Sequence, residues 1–155
     1  MSRRTALRSL RLLALLVALG AARRVDAQYS VTQVQPLAFG YLTQGVTEVV
    51  RFTDTFRRGV VALDGSGNVW VRVTLPTALV SSQGGAIPLQ FLAGDVASQD
   101  AGKQAQSFDP AGSTRVNLTK GTALLLIGGR AIPAVSQVAG TYSATMIVVV
   151  SSTKF

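Results

Sequence analysis

From residue 69 to residue 75 every second side chain is aliphatic: Val69, Val71, Val73 and Leu75, with Trp70, Arg72 and Thr74 between them. Side chains leave a strand on alternate faces, so a period of two predicts a half-buried strand with one apolar face. Pro76 ends it, because proline cannot donate to a ladder. The preceding Asp64-Gly65-Ser66-Gly67-Asn68 is dense in turn formers, and Gly59–Leu63 before it is apolar. Residues 59–75 therefore read as a β-hairpin.

The same patterning recurs along the chain. Gly45–Phe52 and Arg115–Leu118 read as strands, and Ile87, Leu89 and Phe91 alternate with Pro88 and Gln90. Ala123–Ile127 is apolar on both faces, as in a central covered strand; one and a half turns of buried helix is the alternative, and its shortness with the flanking Gly121 and Gly128-Gly129 favours the strand. The last and longest predicted strand runs over 141–151. Its first half is one-sided, and Ile147 and Val149 make its second half apolar on both sides, so it is expected to end under cover. Gln99–Gly112 is polar and reads as a long loop. No segment repeats apolar residues at three and four, so no helix is expected beyond residue 27. Seven or eight short strands between Gly, Ser and Asp turns predict an all-β, antiparallel sandwich or barrel in a single domain, residues 28–155.

Residues 1–27 read as an address. They hold Arg3, Arg4, Arg8, Arg11, Arg23 and Arg24, then an apolar run over 12–22, then Val25-Asp26-Ala27. This is the layout of a secretory signal peptide, with cleavage expected between Ala27 and Gln28. Eleven apolar residues make a helix of about 16 Å, short of a bilayer core of roughly 30 Å. An uncleaved anchor is the alternative. No later segment is long enough to span a membrane, so the mature chain is expected to be secreted: periplasmic, on the outer surface or extracellular. The leader also distorts the charge. The whole chain is +8, but residues 28–155 carry nine basic and six acidic groups, too even a balance for a nucleic-acid binder.

Pro36-Leu37-Ala38-Phe39-Gly40 opens the domain, Val71–Pro76 lies near its middle, and Gly128–Pro133 with Ala139–Val150 closes it. This layout resembles the secreted bacterial family called domain of unknown function 4402. It is similar, more loosely, to the spore-coat-U-type pilus subunits. Both share an early L-x-F-G and a final G-x-Y before an alternating strand, and the resemblance spans about residues 34–152. It implies an immunoglobulin-like β-sandwich, exported or cell-surface, of fimbrial-like type. The disulfide usual in the pilus subunits has no counterpart here, because the chain has no Cys. Gly140 and Tyr142 read as a structural corner, with a tight strand entry and a ring buried while its hydroxyl bonds back to nearby backbone. The tyrosine corner of immunoglobulin-like domains is the analogy.

Chemistry is sparse. With no His and no Cys, His-based triads, thiol nucleophiles and zinc sites are excluded, and no cofactor or metal is expected. Ser151 and Lys154 have the spacing of a Ser–Lys pair but lie on a strand end, where they share no helical face. Asp64–Asn68 alternates oxygens like a calcium loop, yet its sixth and twelfth positions are Val69 and Leu75. Asp95 and Asp100 are read as ordinary solvated loop acids rather than a hydrolytic pair. Arg57-Arg58 is read as a solvated face. No enzyme is expected.

Two non-catalytic readings remain. The first is a structural module, pilus- or adhesin-like, that assembles by strand pairing with itself or a related surface subunit. Its candidate donor strand is Gln28–Gln35, with Tyr29, Val31 and Val34 as apolar contacts; the same segment is alternatively the first strand of its own domain. The second is a surface module that binds carbohydrate or protein through Trp70 beside Arg72, both on the outward parity of their strand. A neighbouring loop covering Trp70 is the plain alternative.

Overall fold

The computed structural model describes residues 29–119 and 121–155; the leader and its expected cleavage point lie outside them. Twelve strands form three antiparallel sheets. The first sheet joins β1 (Ser30–Gln35), β3 (Gly59–Asp64), β10 (Ala123–Ile127), β7 (Val96–Gln99) and β8 (Gln106–Phe108), in that order. The second joins β2 (Glu48–Val50), β11 (Gly129–Ala131), β6 (Ala86–Gln90) and β5 (Ala78–Val80). The third joins β12 (Ile147–Ser151), β4 (Asn68–Thr74) and β9 (Ser113–Asn117). No helix occurs among the described residues.

The second sheet continues the first, strand for strand. β2 runs on into β3, β6 into β7, and β10 into β11, so the neighbour order is kept across the bend. Gly128 makes the bend possible between β10 and β11. A Cβ there would strike the Val50 carbonyl oxygen and lie 2.7 Å from the Phe52 nitrogen. Only glycine lets two backbones approach so closely.

The third sheet faces the first across the main core. Val69, Val71 and Val73 from β4 and Val116 from β9 pack against Val61, Leu63, Val96, Leu125 and Ile127. The period-two reading of β4 is met: its three valines are buried, while Trp70 is half-buried and Arg72 exposed. The central-strand reading of β10 is met as well. Leu125 and Ile127 face the main core, while Leu126 joins Val60 and Ala97 on the opposite face of the sheet. A further cluster of Phe39, Val50, Ile87 and Ala131 fills the space beside the second sheet.

Several expectations are corrected. Residues 59–75 are not a hairpin: β3 pairs with β1 and β10, while β4 pairs with β12 and β9. β3 is apolar on both faces, so it takes the interior of a sheet and needs a neighbour on each side. Residues 65–67 therefore arch between facing layers, a gap of about 10 Å. The polar stretch 99–112 is not a plain loop, because it turns back as β8 to pair with β7. The last strand is shorter than expected. Only 147–151 join the ladder, preceded by a lone bridge between Ser143 and Val80. Nor does it end under cover: Ile147 is 57% and Val149 41% exposed, because they turn to the outer face of the third sheet while Val148 and Val150 turn to the core.

Candidate functional site

The two long sides of the facing sheets differ. On one, β9 lies close to β7, and the Asn117 amide donates to Asp100 Oδ1 at 3.2 Å across the gap. Given the strand orders, β1 and β12 are the edge strands toward the opposite side. No hydrogen bond joins them among the described residues. β1 is paired to β3 within its own chain, in register from Ser30↔Asp64 to Gln33↔Val61, with an irregularity at Val34. The candidate donor segment is thus the first strand of its own sheet, and its other edge is free. Tyr29 packs half-buried against the main core, whereas Val31 and Val34 are exposed. Met146, Val148 and Val150 reach the core from the β12 side.

This open side lacks charge. Every charged residue from 28 onward lies within 48–130 except Lys154, so both edge strands are neutral. Edge strands are normally protected by charge, proline or a bulge that twists them away. β12 has no charge or proline and pairs in unbroken register from Ile147↔Thr74 to Ser151↔Trp70.

The outer face of the third sheet carries the predicted Trp70 and Arg72. Ladder register sets Arg115 beside Trp70 and Val149 beside Arg72. The segment after β12 folds back over them. The Arg72 guanidinium carbon sits 4.5 Å from the Phe155 ring centre, and Lys154 Nζ sits 5.3 Å from the Trp70 ring centre. Each such contact contributes about 0.5–1 kcal/mol at an exposed site. The plain alternative for Trp70 is therefore met in part, since its cover is Lys154. Arg115 and Phe155 were not singled out from the sequence, and Lys154 was weighed only as a partner for Ser151. Parity alone turns Arg115 outward, because Val116 is a core position, but its place beside Trp70 depends on register.

The corner residues are structural. The Tyr142 hydroxyl donates to the Val138 carbonyl and accepts from Gln137 Nε2, both at 2.7 Å, while its ring packs beside the second core. Gly85 permits this: its φ is +103° and a Cβ there would come within 2.9 Å of that hydroxyl. Gly140 lies against Ser81, where an added Cβ would be 3.3 Å from Oγ. The hydroxyl bonds to backbone as expected, although Tyr142 precedes the strand instead of opening it.

The residues weighed for catalysis are not assembled. Asp95 and Asp100 flank β7, about 16 Å apart along an extended strand. Asp95 is not the solvated acid expected. It is 7% exposed, accepts the Leu92 amide at 2.8 Å and faces Arg130 at 3.7 Å. Asp100 holds Lys103 at 3.0 Å as well as Asn117. Arg57 and Arg58 are not a bare solvated face. Arg57 bonds Glu48 at 2.5 Å and Asp54 at 2.9 Å, and Arg58 donates to the Phe52 carbonyl at 3.1 Å. The bond from Arg57 is the main reason the Asp54 carboxyl lies below its ordinary value. Its bonds to Glu48 and then Asp54 raise the Arg57 guanidinium. Ser151 Oγ meets Thr153, not Lys154. The Asp64 carboxylate accepts from Thr122, and no three potential metal-ligating side chains cluster among the described residues.

No helix of the described residues is long and apolar enough to cross a membrane. No family model, curated protein or solved structure matches the chain.

Proposed function

We propose that this chain is an exported, non-catalytic structural module, pilus- or adhesin-like, that assembles by strand pairing. The resemblance to the 4402 family and the immunoglobulin-like sandwich it implies are part of that reading. The observation that carries it is the open side, where two uncharged edge strands flank a partly covered core. β1 of one copy pairs along β12 of another through the edge that β3 leaves free. Each copy carries both edges on one side, so two copies facing each other form the pair twice, a two-fold arrangement. Such a contact covers part of the exposed Ile147, Val149 and Val31. Keeping it uncharged matters, because residues 28–155 carry a net positive charge and like-charged copies repel elsewhere.

Light scattering on a size-exclusion column tests this. The purified protein is expected to run as a dimer or larger. Ile147→Lys with Val149→Lys, or deletion of residues 28–35, should return it to monomer. A protein that is monomeric at every concentration, or assembly indifferent to the lysine pair, overturns the reading.

A further inference from the structure

We infer that the outer face of the third sheet is a binding site for an acidic polysaccharide, a glycan chain bearing carboxylate or sulfate groups. This does not rest on self-assembly, although Val149, beside Arg72 on the same face, also borders the contact proposed above.

The argument begins with charge. Arg72, Arg115 and Lys154 lie on one face, and no outward position of β4, β9 or β12 is acidic. None of the three joins an ion pair or side-chain hydrogen bond among the described residues. Elsewhere among the described residues Arg57, Arg130 and Lys103 are matched with carboxylates and Arg58 donates to the Phe52 carbonyl, while Arg51 shares the unpaired state. Arg115 stands one strand across and two residues along from Arg72, about 8 Å between backbones. That backbone spacing is about one screening length at physiological salt, roughly 8 Å, so the two repel one another weakly, and an anion between them relieves the repulsion.

Geometry then selects the ligand. The Arg72 guanidinium carbon lies over the Phe155 ring, 4.5 Å from its centre. No carboxylate or other acceptor among the described residues takes its N–H groups, which are the part that pairs with a carboxylate or sulfate. Lys154 is likewise held at Trp70 with its ammonium exposed. The cations are thus positioned before a ligand arrives, which lowers the ordering cost of binding. The surface is the outer face of a three-stranded sheet with a half-buried indole at its middle. An open face with spaced cations and an aromatic surface suits an extended chain of sugar rings carrying acid groups.

Titration calorimetry of the full chain with polygalacturonate and with heparin tests the proposal; dextran and a single-stranded oligodeoxynucleotide complete the set. Arg72→Gln with Arg115→Gln should weaken binding of both acidic glycans at least about tenfold. Raising salt from about 50 mM to about 200 mM should weaken the parent more than the double variant. Lys103→Gln, on the β7–β8 turn, should bind like the parent. Arginines near the N-terminus are common to every variant and cancel in the comparison. Both arginines are exposed, so the double variant is expected to fold as the parent does. Equal affinity in parent and double variant, equal binding of dextran, or tighter binding of the oligonucleotide than of either glycan would each overturn the assignment.

Discussion

The two sides of this sandwich carry the same kind of backbone but are finished differently. Where β9 meets β7, a buried aliphatic core runs to the rim and Asp100 ties the layers through the Asn117 amide. Where β1 and β12 end the sheets, half-buried side chains reach the rim and no such tie exists among the described residues. One side is sealed within the chain; the other is neutral, apolar and unfinished. Facing sheets can thus be tied along one side and left with free edges along the other.

That contrast can be broken at its strongest point first. Leu118 is almost fully buried just after β9, where its amide bonds the Gly67 carbonyl at 2.7 Å. Leu118→Ala should cost about 2–5 kcal/mol in urea unfolding, whereas Val31→Ala, at an exposed site on the open side, should stay within about 0.5 kcal/mol. Similar costs for the two would erase the distinction between the sides. Asp100→Ala removes the tie across the sealed side and should cost about 1 kcal/mol, read as a lower urea midpoint at unchanged slope. A neutral result would mean that packing alone seals that side.

The smallest effect sharpens the open side. β1 is tethered at its end by Gln35 Nε2, which donates to the Arg58 carbonyl at 2.8 Å. Arg58 belongs to the crossing held by the Glu48–Arg57–Asp54 cluster. The Asp54 carboxyl is depressed in the folded chain, chiefly by Arg57. Its stabilisation is therefore present above the ordinary carboxylate pKa and lost as pH falls through the lower folded value. Asp54→Asn should lower the neutral-pH melting temperature slightly and leave the acid-side value nearly unchanged, so that the fall between them disappears. An unaltered fall would show that the crossing is held by other bonds.

Much of this was legible in the amino-acid order. The alternation at 69–75 marked Val69, Val71 and Val73 as core residues and turned Trp70 and Arg72 outward. The apolar run at 123–127 marked the middle of a sheet. Which strands would pair was not legible. The turn formers at 64–68 serve an arch between layers as well as a hairpin, and the apolar end of the last strand looked destined for cover although it forms an edge. Asp95 gave no local sign of burial, because Arg130 reaches it only through the bend at Gly128.

The division has one physical reason. Alternation of side chains is a property of a single extended backbone, so sequence by itself determined that the chain is built of strands and which of their faces turn inward. Pairing, edge position and the fold-back of Lys154 and Phe155 onto Trp70 and Arg72 depend on contacts between residues tens of positions apart. Those are settled only when whole layers pack, and with them the open seam and the cationic face on which the proposed functions stand.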